Sequence, residues 1–260
     1  MSAAEWIGRD LGPKEVHYTS RDAILYALSV GANATQLDLI YEKQLRVLPT
    51  FGLTLAQWAA DVIAEHNGYG DQAVHASQTL DVHGPLPQEG VLAMTARVQD
   101  VWDKGSAAVF RILVQSDYFD ATWTIFAPGQ GGFGGDRGPS APPAGEQETS
   151  VDLPLETTPN QAVLYRLSGD YHDIHVDPLA AQRIGQPRPI LQGLCTLAAA
   201  TLPLAEQAGR HPADVSHLEG RFSGVVFPGD HLTVRASTTG AFSVLSGSDE
   251  VISNGRIAFS

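Results

Sequence analysis

The sequence predicts an α+β protein written twice, as two tandem units in each of which a long helix is wrapped by a curved antiparallel sheet. Three observations carry this. The two halves repeat one another in the same order, each half runs from helical to strand patterning, and a stretch rich in Gly and Pro at 128–148 separates them.

The repeat opens with DAILYALS at 22–29, which aligns with QAVLYRLS at 161–168 and pairs Ala23 with Ala162, Tyr26 with Tyr165 and Ser29 with Ser168. Each reads as a short helix. PTFGLTLAQ from Pro49 then resembles PILQGLCTLAA from Pro189 if one residue slips, and each leads into an apolar run with helical spacing. Longer helices are therefore expected at about 53–67 and about 194–208. HGPLPQEGVLAMTARV next resembles GVVFPGDHLTVRAS, matching Pro87 with Pro228. Strand signals follow in VLAMTARVQDVW, SAAVFRILVQSD and DATWTIFA, and again in HLTVRAST, AFSVLSGS and EVISNGRIAFS. One helix followed by antiparallel strands packs on one face of its sheet. A strongly curved sheet around a single long helix is the hotdog arrangement, so a double hotdog is expected, with units at 1–145 and 146–260. Two such units side by side would join their sheets and hide one edge of each.

Composition narrows the partners. With 43% hydrophobic residues the chain can bury a core, and 16 Lys+Arg against 29 Asp+Glu give a formal charge of −13. That balance argues against sequence-independent binding to nucleic acid or to anionic membranes. The start, MSAAEWIGRD, lacks a basic segment followed by an apolar stretch, and no later window approaches the length of a membrane span. A cytoplasmic protein is expected. The single cysteine, Cys195, lies in an apolar run and reads as a core residue rather than a nucleophile. GQGGFG at 129–134 has the letters of a dinucleotide fingerprint, but Gly-Asp-Arg-Gly-Pro follows, no helix can begin, and it reads as a loop. His17, His66, His75, His83, His211, His217 and His231 are scattered and read as surface or core filler.

The copies differ after the matched serines. The second continues Gly169, Asp170, Tyr171, His172, Asp173, Ile174, His175, Val176, Asp177, and the first continues Val30, Gly31, Ala32, Asn33, Ala34. Only the second keeps ionisable groups, which leaves the first as a degenerate unit free to form a binding wall for substrate. Gly169 suits the turn just past a helix, after which Asp170 and His175 lie in irregular chain, free to converge. A carboxylate and an imidazole can take a proton from water and return one to carbon without metal or nucleotide. An isolated Asp and His would more often cap a helix and fill a turn. The cluster also offers metal-ligand types, but without an H-E-x-x-H helix or a Cys pair, and ligands from one short loop rarely close a coordination sphere. No metal is expected.

The runs YRLSGDYHDIHVDPLAA, RPILQGLCT and RFSGVVFPGD resemble the hydratase 2 motif of the MaoC-like family, the (R)-specific 2-enoyl-CoA hydratases. YTSRDAILYALSVGA, VLPTFG and GGFGGDRGP extend the likeness through the first half, as in the two-hotdog form. The resemblance implies hydration of a trans-2-enoyl-CoA to a (R)-3-hydroxyacyl-CoA, with Asp170 and His175 as the acid/base pair. It places Gly193 where a backbone N–H binds the thioester carbonyl, as suits a helix start. Coenzyme A would enter as part of the substrate, with no separate cofactor. Arg183, Arg188 and Arg221 could meet its phosphates or simply be solvated. The family run is Gly-Asp-x-Asn-Pro-Leu-His. Here His172 replaces the Asn and becomes an auxiliary candidate, Asp173 replaces the Pro, Ile174 the Leu, and Gln192 stands where a His is common. A thioesterase of the same fold and a non-catalytic acyl-CoA binder are the alternatives, and a homodimer is expected.

Overall fold

Strict alternation builds the sheet. In the computed structural model, which describes residues 2–70, 72–140 and 150–260, the strands turn apolar side chains to the helices and polar ones outward. After a short 3-10 turn at Ala3–Trp6 the first half runs β1 (Asp10–Tyr18), α1 (Ser20–Ser29), α2 (Leu37–Ile40), α3 (Phe51–Ala56), α4 (Trp58–Glu65), β2 (Val74–Val82), β3 (Gly90–Asp103), β4 (Ala107–Gln115) and β5 (Phe119–Pro128). The second half runs β6 (Ser150–Glu156), α5 (Gln161–Arg166), α6 (Pro178–Arg183), α7 (Gly193–Gln207), β7 (Val215–Phe222), β8 (His231–Ser237), β9 (Ala241–Ser246) and β10 (Asp249–Phe259). In β5, Phe119, Ala121, Trp123, Ile125 and Ala127 are buried while their neighbours are not. The division expected at 145/146 lies outside the described residues.

Among the described residues the strands form one ten-stranded sheet in the order β1-β3-β4-β5-β2-β7-β10-β9-β8-β6. The halves meet at β2 and β7, which pair antiparallel with Leu80 opposite Leu218 and Asp81 opposite His217. The expected joining of two sheets is thus a hydrogen-bonded seam, pinned on its outer face by His217 Nδ1 and Asp81 Oδ1 at 2.7 Å. Behind the seam α1 packs on α5, and the repeat-matched Tyr26 and Tyr165 meet with ring centroids 5.9 Å apart. The double hotdog expected from the repeat is the fold observed.

Three expectations are corrected. The single helix expected at 53–67 is two, α3 and α4. At the break the Gln57 N–H reaches back only three residues, to the Thr54 carbonyl at 3.4 Å, so the α-helical ladder is interrupted. A strand precedes the first helix of each half. These strands, β1 and β6, are the sheet edges, and Gly12, Pro13 and Pro154 fit an edge position while hiding the strand pattern. The seam strands β2 and β7 are likewise additional to the expected strands, because Gln78 and Gly220 occupy buried positions where an apolar residue would mark a strand.

Helix α7 is apolar on nearly every side, and Cys195, Leu197, Ala198, Ala200 and Ala205 have no exposed surface. Cys195 is the core residue expected, and burial pushes its thiol pKa up. The glycine-rich stretch after β5 is a loop tied to the sheet. The Asp103 carboxylate accepts from the amides of Gly105, Gly132 and Gly134 at 2.8, 2.9 and 2.7 Å, which lowers its pKa to about 2. Among the described residues no helix is long and apolar enough to cross a membrane.

Leu80 and Leu218 are both fully buried and face each other across the seam. Leu80→Ala and Leu218→Ala are each expected to cost about 2–5 kcal/mol in urea unfolding, and together to be non-additive by about 0.5–3 kcal/mol. Additive losses would show that the seam does not couple the halves.

Candidate active site

The loop after α5 positions the ionisable cluster. Gly169 adopts φ +135°, a conformation L side chains rarely take, and turns the chain out of the helix as the sequence led one to expect. Asp170 follows, then Tyr171 and His172, then one 3-10 turn, Asp173–His175. Asp177 caps α6 by accepting the Leu179 amide at 2.8 Å, and Asp173 projects into solvent beside Arg166. The carboxylates are therefore dispersed, and among the described residues no group of three or more His, Cys, Asp or Glu is placed to hold a metal ion. Arg166 braces the loop, donating to the His172 carbonyl at 3.2 Å and lying over the Tyr171 ring.

Asp170 and His175 converge. They are 5% and 8% exposed, with His175 Nε2 3.8 Å from Asp170 Oδ2. On the far side of the ring, Nδ1 lies 2.8 Å from the Ile190 carbonyl oxygen. A carbonyl only accepts, so Nδ1 carries the hydrogen and a neutral ring turns its Nε2 lone pair toward Asp170. The 3.8 Å gap is too long for a direct hydrogen bond and short enough for one water to touch both groups.

The surroundings set the charges. Burial pushes the His175 pKa below its usual 6.5 despite the Asp170 charge and the Ile190 bond. Burial would raise Asp170, but the hydrogen bond from His172 and the charges of both imidazoles outweigh it and hold the carboxyl below its usual range. His172 Nδ1 lies 2.8 Å from Asp170 Oδ1, and that bond raises the His172 pKa. Near neutrality the resting site holds a carboxylate and a neutral His175 that can accept a proton.

Gly193 opens α7, three residues beyond Ile190, so the segment that fixes His175 also carries the helix start. The first amides of a helix have no intrahelical acceptor and point outward with the positive end of the helix dipole. Gln192, the residue before it, offers no side-chain cap and instead donates to the Ala162 carbonyl at 3.1 Å. A Cβ at Gly193 would lie 2.9 Å from the Phe222 ring, so the backbone can come this close to the sheet only as glycine.

The arginines are not gathered. Arg183 is exposed at the end of α6. Arg188 donates to the Pro228 carbonyl, pairs with Asp230 and stacks on Phe227, which ties the segment before α7 to the turn before β8. Arg221 lies on β7 next to Phe222, hence on the opposite face of the sheet from the ring that abuts Gly193. Two groups dismissed or passed over in the sequence do adjoin the cluster. His75 on β2 packs edge-on against Phe222 with centroids 4.7 Å apart and, with its pKa lowered by burial to about 4, is neutral. Asp61 on α4 places Oδ1 4.0 Å from His172 Nε2. Nothing in the sequence flagged either, since contacts across two halves follow from the seam. Of the other histidines noted, His83 pairs with Asp120, His211 with Asp38, His217 with Asp81 and His231 with Glu156.

Comparison with known proteins gives the same architecture a family. Residues 16–127 match the MFE-2 hydratase 2 N-terminal domain, and residues 141–256 match the MaoC like domain. An enoyl-CoA hydratase of Mycobacterium tuberculosis is 37% identical over 246 residues, covering 88% of this chain and 86% of its own. The peroxisomal multifunctional enzyme type 2 of Drosophila melanogaster is 36% identical over 255 residues, covering 87% of this chain and 42% of that longer protein. Among solved structures, a MaoC-like dehydratase from Phytophthora capsici superposes with a TM-score of 0.86 at 23% identity, over 100% of this chain and 98% of its own, a likeness of fold. With both halves matched in order and relatives above one third identity along most of its length, the chain belongs to the MaoC-like hydratase 2 family.

Proposed function

We propose that this protein hydrates a trans-2-enoyl-CoA to a (R)-3-hydroxyacyl-CoA, reversibly, with Asp170 and His175 as the acid/base pair. The observation that carries this reading is the fixed tautomer of His175, whose Nδ1 is spent on Ile190 so that Nε2 faces the Asp170 carboxylate at 3.8 Å, where one water can touch both. The thioester carbonyl would accept the Gly193 N–H, leaving the β-carbon beside that gap. His175 Nε2 takes one proton from the water as its oxygen bonds to the β-carbon. The alkene electrons move to the carbonyl oxygen, where a preorganised amide is worth about 2.7–4 kcal/mol. The imidazolium, stabilised by the Asp170 carboxylate, then returns that proton to the α-carbon. One proton is borrowed and given back, so the cycle needs no cofactor beyond the coenzyme A of the substrate. A homodimer acting in the cytoplasm belongs to the same reading, supported by a lone buried cysteine and by the two open sheet edges, β1 and β6.

The acyl group is proposed to be long or bulky. Where the second half has its ionisable loop the first has Val30, Gly31, Ala32, Asn33 and Ala34, and its helix is broken between α3 and α4. Both features favour an apolar wall over a second reaction centre.

Asp170→Asn and His175→Ala are each expected to lower kcat/KM for hydration by about 10²–10⁴, followed by loss of enoyl absorbance, with coenzyme A ester binding retained. Activity within a few fold of the parent in both would remove the assignment, and release of free thiol in place of hydration would turn the reading to hydrolysis.

Because base catalysis needs neutral His175, kcat/KM should hold through neutrality and fall as pH drops through its lowered pKa, below the usual 6.5. An acid limb centred above that value contradicts a buried, depressed imidazole.

Across enoyl-CoA esters of increasing chain length, kcat/KM is expected to climb by roughly fourfold per methylene the first half buries. A flat series would show that the first half does not hold the chain.

A further inference from the structure

Where the family pattern has an asparagine, this chain has an imidazole that hydrogen-bonds one carboxylate and lies within ion-pair distance of a second from the other half. His172 Nδ1 is 2.8 Å from Asp170 Oδ1 in its own loop, and Nε2 is 4.0 Å from Asp61 Oδ1 on α4. The His172 amide also donates to Asp170 Oδ1 at 3.3 Å, so backbone and side chain clasp the same oxygen. Asp170 Oδ2 is left to face His175. An asparagine at this position could donate the hydrogen bond but could not carry charge.

We propose that His172 is a positioning residue that stands as a cation between Asp170 and Asp61 and fixes the charge of the acid/base pair, so that the first half takes part, through Asp61, in setting the working pH. The proposal rests on the assignment of Asp170 and His175 as the reacting pair. The groups that face His172 divide by sign. Asp170 lies on its own loop and Asp61 on α4, with Glu65 one turn further along that helix, and both facing carboxylates favour the cation. Arg166 on α5 and His175 in the 3-10 turn oppose it, but Arg166 is drawn toward Asp173 and His175 is kept neutral by burial. The hydrogen bond to Asp170 outweighs the cost of partial burial, and the His172 pKa rises.

The consequence for catalysis has a definite sign. A cation beside Asp170 keeps that carboxyl ionised and disfavours a second positive charge on His175, so both stay deprotonated to lower pH than they otherwise would. Removing the charge while keeping a donor should move both pKa values up and carry the acid limb of kcat/KM with them. Asp61 acts one step back, by favouring the protonated form of His172.

The test pairs kinetics with a direct titration. For His172→Asn, the acid limb for hydration of a trans-2-enoyl-CoA is expected to move up by about 1 pH unit, with KM unchanged. For Asp61→Asn, the imidazole of His172, followed by nitrogen-15 NMR in labelled protein, is expected to titrate at lower pH than in the parent. An acid limb unmoved in His172→Asn, or a His172 titration identical in Asp61→Asn and the parent, overturns the proposal. If the parent turns over no enoyl-CoA ester, the hydratase assignment fails, and the NMR titration alone decides whether the bridge between the halves exists.

Discussion

The enclosure of α7 is the constraint from which the rest of the site follows. A helix with apolar side chains around nearly its whole circumference has no face for water, so the sheet must curve around it. Its N-terminus is then held against the strands closely enough that a glycine is required opposite Phe222. The chain entering the helix has little freedom, and the Ile190 carbonyl on that segment sets which nitrogen of His175 is protonated. Tautomer, helix-start amide and the approach of Asp170 are thus three results of one packing problem.

Duplication divides the work between the copies without separating them. The seam of β2 with β7 makes one sheet from two, and the paired tyrosines close the interface behind it. Across that joint the first half delivers Asp61 to His172 and His75 to Phe222. A copy that lost its own ionisable loop therefore still surrounds the remaining one. Thr54 on α3 illustrates this. Its hydroxyl lies 3.1 Å from the Tyr165 hydroxyl on α5, and its methyl would contact any side chain placed at Gly169.

Much of this was legible in the sequence, and the losses share a cause. The repeat, both short helices, α7, six of the ten strands, and the meeting of Asp170 with His175 follow from periodicity, internal similarity and one resemblance. The strands that went unseen either sit at edges, where Pro13 and Pro154 break the pattern, or at the seam, where Gln78 and Gly220 sit in buried positions. The helix break at Gln57 carries neither Pro nor Gly to announce it. Arg188 and Arg221, attractive as anion binders by type, are respectively spent on Asp230 and turned to the other face of the sheet. Residue type indicates what a side chain can bind, and only topology says which face it reaches.

A buried carboxylate beside a buried imidazole faces an electrostatic conflict that this loop resolves by number rather than by solvent. Burial works against any charge, raising Asp170 and lowering His175, so an isolated pair would drift toward two neutral groups with weak affinity for a water proton. Ionising Asp170 without opening the site requires a further donor beside the carboxylate. Backbone donors could supply it, as they do for Asp103, where glycine amides hold a carboxylate. The loop at Asp170 has one such amide, from His172, and the same residue contributes its ring. An ionisable donor answers the burial of Asp170 but brings a charge of its own that needs an opposing carboxylate within reach. In a chain of formal charge −13 such carboxylates are plentiful, and the one the fold supplies comes from the copy that lacks the ionisable loop.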